Sequence, residues 1–355
     1  MKKIPVLEAA LRGASLVKGA FFVLGILALV SGCSAKPKLM IYNWTYYTPD
    51  SVIEKFEEEY NVRVVYDDFE SNEELFAKLK TGGGGYDIVF PSGDYVSIMI
   101  SEGMLAPINK SLLKNTGNID PLVLRQATYD PTMAYSVPYY WGAAGVIVNT
   151  ARVPDFERSW SIFGRTDLAG KMTMLDDMRE VLGDALVSLG YSVNTSNPAE
   201  IEKARDLVNT VWKPNLIRFD ATAYGKSFAQ EDFWVCQGYP EVVFEEIRDD
   251  QKAHTVFFIP PEGGPAYIDS MCILKDSKNI ELAHKFIDFI HRPEIYAEFA
   301  DTFGFPATVN IPARALQQVT PMYRAEDLAN TELKDDVGDT LALYDAAWLT
   351  IKVGK

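Results

Sequence analysis

The chain has 355 residues, a length that suits two or three domains. Its hydrophobic fraction of 48% and aromatic fraction of 12% are enough for sizeable cores and exclude a chain that is disordered throughout. The formal net charge of −15 argues against a nucleic-acid partner and suits a cationic ligand, although an ordinary acidic protein has the same balance.

The first residues have the pattern of an export signal. Basic residues precede an apolar run over 19–30, which is shorter than the roughly 20 residues that a membrane span needs. Small residues lie just before Cys33, as in a lipobox. The pattern predicts a cleaved signal peptide over 1–32 and a lipidated tether over 33–38, which would hold the protein at the periplasmic side of the bacterial inner membrane. An uncleaved anchor or ordinary cleavage nearby is the alternative.

Strands and helices then alternate along the chain. Residues 39–42 form an apolar run that predicts a buried strand, and residues 62–66 and 88–90 predict two more. Thr48 is expected to cap the helix between the first two strands, and Ser71 the helix between the last two. This β-α-β-α-β order predicts a parallel sheet with helices on its faces.

Polar and aromatic residues follow two of these strands. Trp44, Thr45 and Tyr47 come directly after the first strand, and Ser92 and Asp94 come after the third. Ligands of open parallel sheets lie beyond the carboxyl ends of the strands, so these residues are expected to line a site. Aromatic faces beside carboxylates form a site for alkylammonium groups.

A segment with Pro and Gly over 137–142 marks a boundary before the apolar strand 145–148, and we interpret it as a crossing into a second lobe. There the strand 171–175 leads into a helix that begins near Asp177. The strand 267–274 is expected to return to the first lobe. Other predicted elements are strands over 233–236 and 256–259, a helix that ends before Pro293, and a closing helix over 345–353.

Three carboxylates between residues 171 and 274 have more than one interpretation. Asp177 and Glu180 lie where a strand turns into a helix, so they are a helix cap with its capping-box partner, ligand contacts, or both at once. A glycosidase would also place two carboxylates about 5–10 Å apart. Asp269 shares a strand face with Tyr267, which indicates an inward carboxylate whose partner is either the backbone or a ligand.

Metal, cofactor and nucleophile chemistry have little support in the sequence. The glycine run over 82–85 lacks the Lys-Ser or Lys-Thr that a P-loop needs, and three histidines are few for a zinc site. Cys236 and Cys272 lie in apolar runs and are expected to be buried free thiols, although pairing remains open. We therefore expect no cofactor, no metal and no enzymatic activity.

Six motifs occur in order along the chain, at 42–47, 70–73, 86–92, 138–142, 176–181 and 262–264. Together they resemble the spermidine/putrescine-binding proteins of ABC-type polyamine importers, and the similarity runs from about Lys38 to Lys355. The resemblance implies an α/β, periplasmic-binding-protein-like fold with two lobes, each a mainly parallel sheet flanked by helices. Crossing strands join the lobes around a cleft that closes on a hinge. The N-terminal lobe is expected over 39–143 plus 268–313, and the C-terminal lobe over 144–267 plus 314–355.

In this family, aromatic residues stack on the methylene chain of the polyamine and acidic residues hold its amines. The matching positions are Trp44 and Tyr47 for aromatic contacts, Thr45 and Ser92 for polar contacts, and Asp177, Glu180 and Asp269 for acidic contacts. Tyr267 stands where the family often has tryptophan or phenylalanine.

Several positions depart from the family pattern, among them Phe305, which replaces a tyrosine. Asp94 adds a carboxylate, and Tyr239 takes the aromatic role of a nearby tryptophan that is absent here. Glu241 aligns with an aspartate of putrescine-preferring relatives. Lys334 replaces a glutamine that contacts spermidine in spermidine-preferring relatives. A cation there would repel a third ammonium group, unless it points away or pairs with the aspartates at 335–336.

The resemblance implies a monomeric binding protein that captures putrescine, spermidine or both in the cleft and delivers the polyamine to an inner-membrane ABC permease. One alternative is a protein of the same fold for another small solute, such as a sugar, thiamine or ferric ion. A carboxylate-dependent glycoside hydrolase and a structural surface lipoprotein are further alternatives.

Overall fold

The computed structural model describes residues 36–45, 47–69, 71–82 and 84–354. The predicted signal peptide over 1–32, the lipidation residue Cys33 and the start of the tether lie outside this described part. Tyr46, Glu70 and Gly83, which belong to the motifs or to the glycine run, also lie outside it.

The described strands form a six-stranded sheet and a five-stranded sheet, with helices packed on their faces. The strands are β1 (Lys38–Trp44), β2 (Arg63–Phe69), β3 (Ile88–Val89), β4 (Ser136–Ala143), β5 (Gly145–Asn149), β6 (Met172–Met174), β7 (Leu216–Phe219), β8 (Val235–Gly238), β9 (Thr255–Phe258), β10 (Pro265–Ile273) and β11 (Glu332–Leu333). The helices are α1 (Asp50–Tyr60), α2 (Asn72–Lys80), α3 (Gly93–Ser101), α4 (Pro121–Gln126), α5 (Met178–Ser188), α6 (Pro198–Leu207), α7 (Tyr224–Ala229), α8 (Pro240–Glu246), α9 (Asp249–Lys252), α10 (Ile280–Ile290), α11 (Pro293–Phe303), α12 (Ile311–Arg314) and α13 (Leu341–Val353).

The six-stranded sheet has the order β11-β10-β3-β1-β2, with β4 paired to β10. β1 pairs in parallel with β2 and β3, as the alternating pattern predicts. β10 pairs antiparallel with β3 and β4, so it runs against the direction of β3. The chain that follows β3 therefore lies beside the middle of β10, where Ser92 bridges Asp269.

The helix after β1 begins differently from the prediction. Pro49, not Thr48, is the N-cap residue of α1, and no side chain in the described part caps this end. Thr48 is buried, and its hydroxyl accepts a hydrogen bond from Asn43 Nδ2 at 3.1 Å. The Tyr139 hydroxyl of β4 lies 3.1 Å from the same Thr48 oxygen, so a tertiary partner also takes the hydroxyl that the pattern assigned to the cap. The cap of α2 is confirmed, because the Ser71 hydroxyl accepts from the Glu74 N–H at 3.1 Å.

The five-stranded sheet has the order β7-β6-β8-β5-β9. β6 pairs in parallel with β7 and β8, whereas β5 pairs antiparallel with β8 and β9. The chain passes from the first sheet to the second at Ala144, between β4 and β5, and returns between β9 and β10. The crossing predicted from the Pro- and Gly-containing segment is therefore confirmed. The lobe boundaries themselves stay a prediction.

Strands of both sheets are buried on two faces, which explains their nearly continuous apolar sequences. In β1, Leu39 lies in one core and Tyr42 in another on the opposite face. In β5, Ile147 lies in the same core as Leu39, so that core continues from the first sheet to the second. Val148 lies in a core on the other face of the second sheet, together with Tyr344 of α13.

No helix in the described part of the chain combines the length and apolar character needed to cross a membrane. Within the same residues, no cluster of three or more His, Cys, Asp or Glu side chains is arranged to hold a metal ion. Cys236 and Cys272 are buried free thiols, as predicted.

Candidate functional site

The carboxyl ends of β1 and β3 bring two predicted segments together. Trp44 ends β1, and its indole N–H donates to the Phe90 carbonyl oxygen, just after β3, at 2.8 Å. Its half-buried ring packs against Phe69 with 4.5 Å between the ring centroids. Thr45 lies in the turn beyond and is exposed. The indole is thus fixed beside the segment that leads to Ser92.

The Asp269 carboxylate on β10 is hydrogen-bonded by side chains from two other parts of the first lobe. It is 3% exposed in the middle of β10, where it forms an isolated bridge with Ser92. The Ser92 hydroxyl donates to its Oδ1 at 2.6 Å, and the Tyr47 hydroxyl donates to its Oδ2 at 2.8 Å. Both donors are neutral and a carboxylate offers about four acceptor positions, so the group can still accept bonds from a cation.

Asn72 holds Ser92 in place, a role that sequence reasoning missed. Its Nδ2 donates to the Ser92 hydroxyl oxygen and its Oδ1 accepts from the Ser92 N–H, each at 3.1 Å. With both groups held, Ser92 directs its own proton to Asp269. The motif at 70–73 contains Asn72 and is the signal that could have identified it.

A second group of site residues lies at the start of α5. The Asp177 carboxylate accepts from the Arg179 and Glu180 N–H groups at 2.9 and 3.0 Å, so the predicted cap is confirmed. Glu180 is fully buried and accepts from the Tyr239 hydroxyl at 3.1 Å. The helix thus presents one carboxylate that is occupied by its own backbone and one that is held by side chains.

Lys334 is the cation of this second group. Its ammonium forms an ion pair with Glu180 and is 18% exposed. Neither exception considered for this lysine, pairing with residues 335–336 or pointing away, is what the structure shows. Its backbone N–H donates to the Ala266 carbonyl oxygen at 3.0 Å, which directs the side chain toward α5 instead.

Tyrosine rings connect the two groups. The rings of Tyr239 and Tyr267 meet edge to face with 5.8 Å between centroids, and Tyr140 lies 6.4 Å from Tyr267. A Cβ at Gly142 would lie 2.5 Å from the Tyr267 hydroxyl oxygen, so glycine is needed there to leave room for the ring. A cavity beside these rings is lined by Ser92, Asp94, Tyr129, Tyr267, Leu333 and Lys334.

Burial changes the acidity of the carboxyl groups. It raises the pKa of Asp269 to about 7, against the hydrogen bonds from Ser92 and Tyr47. It also raises the pKa of Glu241, in the first turn of α8, to about 7, and the charge of Asp269 adds to this rise. The pKa of Asp94 is raised by burial against the pull of the Lys334 ammonium. These groups resist ionisation unless a further cation arrives.

Sequence reasoning also missed Asp184, one helical turn after Glu180. It is fully buried, and burial raises its pKa well above the ordinary range, with the charge of Glu180 adding to the rise. An acidic residue between Val181 and Leu186, on the apolar face of the helix, is the signal that could have revealed it.

The structure therefore brings the predicted residues into two neighbouring groups. Tyr47, Ser92 and Asp269 form the first, and Glu241 acts on it electrostatically. Asp177, Glu180 and Tyr239 form the second, with Lys334 as their cation and Asp94 on the shared cavity. Trp44 borders the first group, and Thr45 is exposed beyond it. Their roles as ligand contacts stay a prediction.

Two sheets joined by crossing strands, with polar groups and rings where they meet, define a solute-binding protein. The chain belongs to the bacterial extracellular solute-binding protein family, whose model matches residues 51–324. This membership places the protein outside the cytoplasm and gives it a role in solute capture.

Individual relatives cover nearly the whole chain. It is 36% identical to the spermidine/putrescine-binding periplasmic protein of Salmonella typhimurium, over 93% of this chain and 97% of that one. It is 52% identical to the Tp0655 (TpPotD) lipoprotein of Treponema pallidum, with a TM-score of 0.86 over 88% of this chain and 99% of that structure. The spermidine/putrescine ABC transporter substrate-binding protein PotD of Streptococcus pneumoniae is 28% identical, with a TM-score of 0.81 over 89% and 98% of the two chains.

Proposed function

We propose that this protein captures a small polyamine, putrescine or spermidine, between its two lobes and delivers it to an inner-membrane ABC permease. The relatives named for spermidine and putrescine support the ligand class, and the PotD relative supports an ABC transporter as partner. The alternatives of another solute or a glycoside hydrolase have no comparable support.

The observation that carries the proposal is the Asp269 carboxyl, buried on β10, whose hydrogen-bond donors among the described residues are neutral hydroxyl groups. Burying a carboxylate without a cation is costly, and an ammonium group would supply the missing charge. The charge-assisted bonds that result are each worth about 1.5–3 kcal/mol. The rings of Tyr239 and Tyr267 offer apolar faces for the methylene chain between two ammonium groups.

The proposal includes the anchor and the assembly state. Cleavage after residue 32 and lipid on Cys33 would tether a monomer to the periplasmic face of the inner membrane. The relative from Treponema pallidum is described as a lipoprotein, which supports the anchor. The lobes predicted at 39–143 plus 268–313 and at 144–267 plus 314–355 would close around the ligand.

Titration calorimetry with putrescine, spermidine and a neutral diol tests the ligand class. We expect both polyamines to bind and the diol not to bind. Asp269→Asn and Trp44→Ala should each weaken polyamine binding at least about tenfold, the loss of about one charge-assisted bond or one stacked ring. Circular dichroism checks folding.

Asp167→Asn is the matched control, because Asp167 pairs with Arg165 on the surface and is 63% exposed. Its affinity should equal that of the wild type. Binding of the diol as tightly as the diamine, or of no polyamine at all, would overturn the proposed function. Unchanged affinity in both site variants would overturn the site.

A further inference from the structure

Asp184 on α5 is a buried carboxyl group without a neutralising partner among the described residues. Its side chain is fully buried, and it takes part in no salt bridge in that part of the chain. Neither of its carboxyl oxygens accepts a hydrogen bond there. A charge in this position would be very costly, so the group must either hold a proton or meet a cation.

The donors around Asp184 are bonded elsewhere. The Ser188 hydroxyl donates to the Asp184 carbonyl oxygen at 2.7 Å, and the Trp160 indole N–H donates to the Gly263 carbonyl oxygen at 2.8 Å. The Lys334 ammonium is paired with a different carboxylate of the same helix. A proton is therefore the remaining way to neutralise the group.

Two neighbouring side chains each have a buried polar atom without a partner in the described part of the chain. These atoms are Glu180 Oε2, an acceptor, and Gln237 Nε2, a donor. Glu180 lies four residues before Asp184 on α5, so the two side chains share a face of the helix. Gln237 lies on β8, where its Oε1 accepts from the Leu175 N–H at 2.8 Å, which leaves the amide nitrogen as its free end. A neutral carboxyl group has one O–H donor and one carbonyl acceptor, which is the pair that these neighbours lack.

We propose that Asp184 holds a resident proton and uses it to position Glu180. Its O–H group donates to Glu180 Oε2 and its carbonyl oxygen accepts from Gln237 Nε2, so that one proton satisfies four buried polar atoms. With Oε2 held in this way, Glu180 directs Oε1 to the Tyr239 hydroxyl and the Lys334 ammonium, where the structure has it. Asp184 is thus a positioning residue behind the candidate site. The effect on affinity rests on the proposed polyamine function, whereas the proton itself does not.

The charges around Asp184 favour the protonated form. Burial raises the pKa of Asp184 well above the ordinary range, and the charges of Glu180 and Asp177 on the same helix add to the rise. The Gln237 amide and the Lys334 ammonium lower the pKa without reversing the shift.

The resident proton makes the stability of the wild-type protein depend on pH. An aspartate of the unfolded chain is ionised at neutral pH, so folding takes up a proton at Asp184, and this uptake costs more as the pH rises. Asp184→Asn avoids the uptake. The urea midpoint of Asp184→Asn should therefore exceed that of the wild type by more at pH 8 than at pH 5, and a difference that is the same at both values would contradict the resident proton.

Native electrophoresis at about pH 8 tests the proton without any ligand. Asp184→Asn replaces a neutral group by a neutral group, so the variant should migrate with the wild-type protein. The matched control is Asp167→Asn, which removes a carboxylate that is 63% exposed and paired with Arg165. This control should lose one negative charge and migrate more slowly. Equal retardation of the two variants would show that Asp184 is ionised and would overturn the proposal.

Calorimetry with putrescine tests the positioning role, with circular dichroism as the check of folding. Asp184→Leu keeps the approximate size of the side chain but leaves Glu180 Oε2 without a donor, so the affinity should fall at least about fivefold. Asp184→Asn supplies an N–H donor and a carbonyl oxygen in place of those of the neutral acid, so it should restore the wild-type affinity.

Wild-type affinity in Asp184→Leu would overturn the positioning role. If wild-type protein and both variants bind no polyamine, the proposed function falls instead, while electrophoresis still decides whether Asp184 holds a proton. Electrophoresis of Asp184→Asn also decides that question if Asp184→Leu does not fold.

Discussion

Individual carboxyl groups of this protein differ in how they are neutralised. Glu180 is paired with a lysine, Asp177 with the N–H groups at a helix start, and Asp269 with two hydroxyl groups. Burial raises the pKa of Asp269 to about 7, because the bonds from two neutral hydroxyl groups compensate only part of the cost of a buried charge. A residue-scale difference of this kind makes ligand binding sensitive to pH.

We expect polyamine affinity to fall as the pH falls below 7. In the ligand-free protein, burial raises the pKa of Asp269 and of Glu241 to about 7, so both increasingly hold protons in mildly acidic solution. An ammonium ligand favours the ionised form, so binding must release those protons. The putrescine Kd at pH 5.5 should be roughly tenfold or more above that at pH 8, by calorimetry in buffers of different ionisation heat.

The variant Asp269→Asn provides the control for this prediction. It removes one of the two titrating groups, so its weaker binding should depend less on pH. The same raised pKa values also make the stability of the ligand-free protein depend on pH, but in the opposite sense to the affinity. Between about pH 4 and pH 7 the folded state binds more protons at these groups than the unfolded state does, so their contribution to stability is lost as the pH rises. Affinity that rises on acidification would contradict the argument.

At the scale of elements, β10 connects the whole site. It pairs with β3 and β4, carries Tyr267 and Asp269, and begins against α5, the helix that carries Glu180. The contact with α5 depends on Gly183, since a Cβ there would lie 2.3 Å from Pro265 Cγ. The distance between the two acidic groups is thus set by how closely one helix approaches one strand.

Gly183→Ala should destabilise the protein by about 1–3 kcal/mol, because overpacking at this contact outweighs the better helix propensity of alanine, which is about 1 kcal/mol. Urea unfolding followed by circular dichroism measures the change. Gly117→Ala is the control, since nothing lies within 4 Å of a Cβ built there, and its effect should stay within about 0.5 kcal/mol. A Gly183→Ala protein as stable as the wild type would show that the helix and strand can separate without cost.

At the scale of the molecule, the described residues form a body with two sheets whose inner core is continuous from one to the other. Its acidic charge suits the capture of cations from solution, because a negative field raises their local concentration. β1 begins at Lys38, only a few residues after Cys33. A lipid on that cysteine would therefore hold the folded body close to the membrane surface.

Cys33→Ala should release the protein from membranes into the soluble fraction, since each buried methylene of a lipid chain contributes about 0.8 kcal/mol to membrane binding. Fractionation of expressing cells and mass spectrometry of the N-terminal peptide measure the change. Cys236→Ala removes a buried thiol instead and should leave the anchor intact. Membrane retention of Cys33→Ala would show that another segment supplies the attachment.

The sequence alone determined the alternation of strands and helices and the places where the chain passes from one lobe to the other. Apolar runs, the Ser71 and Asp177 caps and the segment before β5 are local signals, and local signals depend on residues a few positions apart. They also placed polar residues at the carboxyl ends of β1 and β3, which is where the structure has them.

Only the tertiary structure decided which of these residues meet and how they are charged. Asp269 accepts hydrogen bonds from Tyr47, 222 positions away, and from Ser92, 177 positions away. Lys334 pairs with Glu180 rather than with the acidic residues next to it in the sequence. Thr48 likewise leaves its expected cap and contacts the buried Tyr139 hydroxyl of β4, 91 positions away. The physical reason is that side-chain partners and pKa values depend on burial and on contacts between distant strands, and spacing along the chain does not encode either.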